Sequence, residues 1–222
     1  MTGIRLPYDD RRQAGRLLAE RLERYRGAAD LLVLALPRGG LAVGFEVAHA
    51  LHAALDVFVV RKLGYPGHEE YAMGAIASGG VRVMNLDPGL SVSDDEIAVV
   101  VQREQAELAR REQLYRGERP PPALGGRTVI VVDDGLATGS TMRAAVAAIR
   151  RQQPARLVVA VPVGAAQTCA TLRREVDDLV CPAMPEPFRA VGLWYRHFPQ
   201  TSDDEVRDLL AAAQREHDLE LH

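Results

Sequence analysis

Residues 129–141 read Val-Ile-Val-Val-Asp-Asp-Gly-Leu-Ala-Thr-Gly-Ser-Thr. Four apolar β-branched residues, 129–132, form a short buried strand that runs into two adjacent carboxylates, Asp133 and Asp134. A turn of small and hydroxyl-bearing residues follows, and a helical stretch begins by Met142 and extends to Gln152. A strand ending in paired acids, then a glycine- and hydroxyl-rich turn at a helix N-terminus, suits a phosphorylated sugar. Backbone N–H groups and the helix dipole hold the phosphate. The acids face sugar hydroxyls or a divalent metal that bridges them. The turn has neither the lysine nor the spacing of a P-loop, and the dinucleotide fingerprint has no acid pair ahead of its glycines.

Working outward, strands alternate with helices. A helix is expected over 11–25, with Ala14, Leu17, Leu18, Leu22 and Tyr25 on one face and Asp9 or Asp10 as its cap. Strands are expected at 31–36 and 56–60, with a helix over 41–55 between them. Segment 61–71 has glycines, a proline and charges without periodicity and reads as a loop, and Gly79-Gly80 joins a hairpin. Ser93-Asp94-Asp95-Glu96 is a capping box that opens a long helix to Arg116. Beyond the acid pair come strands at 156–161 and 177–181, a helix over 165–174 and an irregular stretch over 182–199. A helix opened by Ser202 precedes a frayed tail over 214–222. This order implies an α/β domain: a parallel sheet with helices on both faces and its ligands beyond the carboxyl ends of the strands. Arg38, then Arg61 and Lys62, then Asp133 and Asp134 each follow one such strand.

The thirteen residues 129–141 resemble the 5-phosphoribosyl-1-pyrophosphate (PRPP) signature of type I phosphoribosyltransferases. The resemblance spans most of residues 10–210. It implies a single domain over 1–222, with an inserted helix at 93–116 and a small C-terminal hood at 182–213. It implies transfer of a phosphoribosyl group from PRPP to a nucleobase-like acceptor, with Mg²⁺ as cofactor and release of pyrophosphate. Asp133 and Asp134 would hold ribose hydroxyls and metal; because successive strand residues point opposite ways, one acid should dominate. Ala137, Thr138, Gly139, Ser140 and Thr141 would cradle the 5′-phosphate. Pro37-Arg38-Gly39-Gly40 resembles the pyrophosphate loop, so Arg38, Gly39 and Gly40 would hold the leaving group, with a cis bond between Pro37 and Arg38. Arg61 and Lys62 resemble the cations of the mobile catalytic loop, which stabilise departing charge. Glu70, with Glu69 beside it, would orient or deprotonate the nucleophile. Trp194, Tyr195 or Phe188 would stack on the acceptor.

Ala137 stands where 6-oxopurine enzymes carry aspartate, and DDGLATGSTM is close to the adenine enzymes' pattern. The long helix and the Trp194 segment instead make the layout similar to functionally uncharacterised bacterial phosphoribosyltransferases with an inserted helix. The acceptor therefore stays open. A non-catalytic sensor of PRPP or nucleotide on the same fold is the main alternative. A PRPP-synthesising pyrophosphokinase also shares the motif, but such chains are longer, with two similar domains, and no internal repeat appears here.

The whole chain agrees. Its 222 residues fit one domain, and a net charge of −3 favours neither nucleic acid nor membrane. Two cysteines are too few for a disulfide framework, so a reducing cytoplasm is the expected location. A homodimer is expected.

Overall fold

In the computed structural model, which describes residues 5–28 and 30–220 apart from the side chains of Glu70 and Glu220, two sheets share one body. The elements, in order, are α1 (Arg11–Leu22), β1 (Leu31–Ala35), α2 (Gly40–Leu51), β2 (Ala54–Val57), β3 (Val60–Tyr65), β4 (His68–Ala77) and β5 (Val81–Met84). There follow α3 (Asp94–Arg116), β6 (Thr128–Val132), α4 (Ser140–Arg150), β7 (Arg156–Ala160), α5 (Ala166–Leu172), β8 (Asp178–Val180) and α6 (Asp203–Glu220).

The larger sheet is wholly parallel, with order β2-β1-β6-β7-β8. Its central strands are almost wholly apolar because both faces are covered. Leu31, Val33 and Ala35 of β1 and Ile130 and Val132 of β6 face α1, α2 and α6. Leu32 and Leu34, with Val129 and Val131, face α4 and α5. This period of two fixes the register: a one-residue slip would exchange the two cores. The chain leaves β1 towards β2 on one side, and β6 towards β7 on the other. Right-handed crossovers then put α2 and α4 on opposite faces. Between β1 and β6 the connections diverge, which opens a crevice at the carboxyl ends of these two strands.

Three expectations change. Segment 61–71 is not a loop: β3 and β4 form an antiparallel hairpin whose turn is Pro66-Gly67. Pro66 sets the first turn position, and Gly67, at φ +74°, supplies the second. Charges and a register shift around Gly64 hide its alternation from the sequence. Arg61 and Lys62 accordingly lie within the three-stranded antiparallel sheet β3-β4-β5, and not beyond a strand of the parallel sheet. The last helix continues through the stretch expected to fray, to Glu220. Its apolar face, Val206, Leu209, Leu210 and Ala213, packs on α2 and α3.

The capping box of α3 is present: Glu96 N–H donates to the Ser93 hydroxyl at 3.3 Å and Ser93 N–H to the Glu96 carboxylate at 2.9 Å. This inserted helix covers one face of the small sheet through Val100, Leu108 and Tyr115. The other face lies against α4.

Candidate active site

The crevice between β1 and β6 is lined at close range by glycine. Leu36 N–H donates to the Val132 carbonyl at 2.9 Å and carries the β1 edge past the end of β6. The turn at Pro37–Gly40 then crosses the acid pair. A methyl group on Gly39 would lie 2.1 Å from Asp134 Oδ2, and one on Gly40 would lie 2.8 Å from the Val132 carbonyl. Both positions therefore need glycine for close approach, although Gly39 has helical φ. The Pro37–Arg38 peptide is cis, as the resemblance implied.

Asp133 accepts the Asp134 N–H at 2.8 Å. Asp134 accepts from Arg11 Nε at 2.9 Å, and its main-chain carbonyl accepts the Tyr195 hydroxyl at 2.5 Å. Burial pushes both carboxyls above the ordinary carboxylate range. Asp133 rises furthest, because it also feels the charge of Asp134, and Arg11 opposes the rise at both. A desolvated acid pair of this kind gains from any cation that reaches it.

The following turn is held from behind. Leu136 N–H donates to the Val163 carbonyl at 2.9 Å, Ala165 N–H to the Leu136 carbonyl at 2.8 Å, and the Thr168 hydroxyl to the Ala137 carbonyl at 2.7 Å. Gly139, at φ +73°, turns the chain into α4, and no side chain caps that helix. Neither Ser140 nor Thr141 spends its hydroxyl on the cap, so the first N–H groups of an 11-residue helix stay open to an anion. Thr138, Ser140 and Thr141 are exposed around it.

Two cavities flank this rim. One, of about 490 Å³, is lined by Arg11, Arg38, Gly39, Asp134 and residues 198–201. The other, of about 580 Å³, joins Thr138, Ser140 and Arg143 to Lys62 and the β4-β5 edge. The alternation of β3 separates the two basic residues. Lys62 faces the α4 side, whereas Arg61 turns to α3, where its Nε lies 2.9 Å from the buried Glu104. Arg61 and Lys62 thus do not act on the same space.

The aromatic candidates also divide. Tyr195 is 6% exposed, tilted against Tyr8 and Phe198, and serves as a prop beneath Asp134. Trp194 packs on Phe188 at 6.1 Å, with its indole N–H buried and without a partner among the described residues. Phe188 lines a further open cavity of about 490 Å³ with Gln167 and Glu186. The expectation for Glu70 falls on a side chain outside the described residues. Sequence reading missed Arg11, whose partner is 123 residues away; the Asp10-Arg11-Arg12 string has no local feature that separates it from a helix start.

Among the described residues, no group of three or more His, Cys, Asp or Glu converges as a metal cage. No helix among them is long and apolar enough to cross a membrane.

Residues 9–191 match the family model for a phosphoribosyl transferase domain. A protein of Mycobacterium tuberculosis, provisionally named a phosphoribosyl transferase, is 47% identical over 211 residues, which cover 94% of this chain and 47% of that protein. The chain thus spans about half the length of the curated relatives it matches. The crystal structure of a protein from Thermus thermophilus superposes with a TM-score of 0.83 at 39% identity, covering 93% of this chain and 99% of that one. A Neisseria gonorrhoeae protein solved with bound ppGpp, 16% identical, has a TM-score of 0.52 over 96% of this chain and 98% of its own, a likeness of fold alone. With its parallel sheet, its acid-pair turn and these matches, the chain belongs to the phosphoribosyl transferase family.

Proposed function

We propose that this protein transfers the 5-phosphoribosyl group of PRPP to a nucleobase-like acceptor and releases pyrophosphate. The observation that carries the reading is the convergence of three unlike binding surfaces on one crevice. They are a half-buried acid pair, an uncapped helix N-terminus and a glycine turn with a cation, and Asp134 approaches that turn closely.

Asp133 and Asp134 accept the 2′- and 3′-hydroxyls of the ribose. Residues 137–141 take the 5′-phosphate through main-chain N–H groups, and the hydroxyls of Thr138, Ser140 and Thr141 add to it. Arg38, Gly39 and Gly40 receive the diphosphate. Lys62, across the cavity from Thr138 and Ser140, screens the phosphates. Arg61 steadies the small sheet on α3 through Glu104. In the transition state the C1–O bond to pyrophosphate breaks and the acceptor nitrogen attacks C1. Positive charge grows on the ring beside the acid pair while negative charge grows towards Arg38.

Mg²⁺ fits this donor set as an ion carried by the substrate. It keeps several waters and asks for one or two carboxylates plus phosphate oxygens. Asp133 and Asp134 supply those carboxylates, and among the described residues no third acid joins them. When bound, it neutralises phosphate charge.

The acceptor enters from the hood. Phe188, with Gln167 and Glu186 beside it, offers a flat apolar surface and two hydrogen-bonding groups of the kind that read a nitrogen heterocycle. Trp194 backs Phe188, and Tyr195 holds the rim. The test is Mg²⁺-PRPP with a panel of purines, pyrimidines and other ring acceptors, scored by pyrophosphate release. Release with one class supports the reading. Tight PRPP binding without release for any acceptor favours a sensor, and no affinity at millimolar PRPP overturns both.

A further inference from the structure

We infer that Arg11, at the first turn of α1, is a second cation of the diphosphate subsite. This inference rests on the PRPP reading of the crevice. It begins from an electrostatic conflict. The half-buried carboxylate of Asp134 lines a cavity that must admit a polyanion, and Arg38 is the only cation the motif provides there. Arg38 is partly exposed and already has Asp203 at 3.9 Å. Arg11 lines the same cavity beside Asp134.

Its placement is fixed on three sides. Nε donates to Asp134 Oδ2 at 2.9 Å, and Nη1 donates to the Pro199 carbonyl at 2.7 Å. The guanidinium carbon stands 3.8 Å from the centre of the Phe198 ring. The side chains of Arg11 and Asp134 are 11% and 14% exposed. A guanidinium has five N–H donors in one plane, and these two bonds use two of them. The guanidinium, held over the Phe198 ring, lines the cavity with donors left for the forked recognition of phosphate oxygens that a planar guanidinium allows. Arg11 therefore joins the acid pair, the 198–201 segment and the diphosphate cavity in one contact. A lysine could supply the charge but not both fixed hydrogen bonds and the stack.

The experiment compares the parent with Arg11→Gln and Arg11→Lys. Calorimetry in Mg²⁺ buffer gives their affinities for PRPP, inorganic pyrophosphate and ribose 5-phosphate. Loss of a charge-assisted fork should weaken PRPP and pyrophosphate at least ~30-fold in Arg11→Gln. Ribose 5-phosphate should stay within about threefold, and Arg11→Lys should recover part of the pyrophosphate affinity. An equal loss for ribose 5-phosphate would mean that Arg11 only orients Asp134, which overturns the inference. Unchanged pyrophosphate affinity also overturns it. Should Arg11→Gln fail to melt cooperatively, Arg11→Lys decides alone: pyrophosphate weakened several-fold more than ribose 5-phosphate supports the fork, and equal effects reject it. A parent protein that binds neither PRPP nor pyrophosphate overturns the crevice reading and this inference together.

Discussion

The β1-β6 rim and the β3-β4-β5 sheet with its α3 cover are built on opposite plans. Apart from the Arg11–Asp134 pair, the rim uses main chain and glycine: Gly39 and Gly40 bring one turn against another, and the helix N-terminus is left uncapped. The small sheet uses paired charge. Arg61 and Arg103 both reach Glu104, and the buried Arg116 of α3 holds Glu112 on its own helix and ties that cover to Asp56 of β2 in the parallel sheet. Close main-chain approach leaves polar groups free for a ligand, whereas ion pairs consume theirs internally. On the proposed function the rim would bind and the small sheet support, and Lys62 of the small sheet faces the cavity shared with the rim.

Substitutions should separate the two plans, and the rim should give the largest effects on function. Asp134→Asn is expected to lower PRPP turnover at least ~10²-fold, about 2.7 kcal/mol in the barrier; activity within threefold of the parent contradicts the role. Gly39→Ala should do comparable damage by a different route. Its new methyl would meet Asp134 Oδ2 at 2.1 Å, so the carboxylate must leave its position. Gly67→Ala is the control. Nothing lies within 4 Å of a methyl there, and only the φ of +74° is strained. That costs about 1 kcal/mol of stability, read by denaturant unfolding, with turnover unchanged. Equal kinetic effects at Gly39 and Gly67 would break the distinction.

The next comparison lies within β3. Lys62→Ala should cost turnover, by roughly tenfold for loss of one cation near the phosphates, with little change in melting. Arg61→Ala should do the reverse. Removing one partner of a buried pair costs about 3–5 kcal/mol. Here Arg61 is 28% exposed and Arg103 remains on Glu104, so about 1–2 kcal/mol is expected. A stability loss at Lys62 and a kinetic loss at Arg61 would reverse the assignment of the two faces.

This contrast also explains what the sequence made legible. Residues 129–141 specify a strand, a turn and a helix start within thirteen positions, so period, acids and glycines were readable together. The Pro37–Gly40 turn was legible for the same reason. Arg11 on Asp134 and Tyr195 beneath it join residues 123 and 61 positions apart, and only the folded chain brings them together. Segment 61–71 reads as a loop because it carries charges, and one of them, Arg61, has its partner on α3. Local pattern cannot distinguish a solvated charge from one bound for Glu104. The split between Arg61 and Lys62 likewise required knowing that they lie on a strand, where neighbours face opposite ways.

The smallest effect tests the electrostatics of the rim without ligand. Asp133 is half-buried, with its carboxyl raised well above the ordinary range, first by desolvation and then by Asp134. A carboxyl whose folded pKa exceeds its unfolded pKa favours folding most when both states are protonated. That contribution fades as pH rises through the folded pKa, because the folded state is then forced to carry a charge that the unfolded chain carries in water. Ligand-free parent protein should therefore lose stability between acid and neutral pH at this site. Asp133→Asn removes the ionisation while keeping an oxygen that can accept the Asp134 N–H. At neutral pH the variant should be more stable than the parent, on the order of 1 kcal/mol, as when a poorly compensated buried charge is deleted. The difference should shrink as pH falls below the unfolded carboxylate range. Added Mg²⁺-PRPP should reverse the order, because the parent alone gains the ligand's stabilisation. A variant less stable than the parent at every pH, with or without ligand, would make Asp133 a structural acid of the same kind as those in the small sheet, and the distinction between the two regions would fail at its centre.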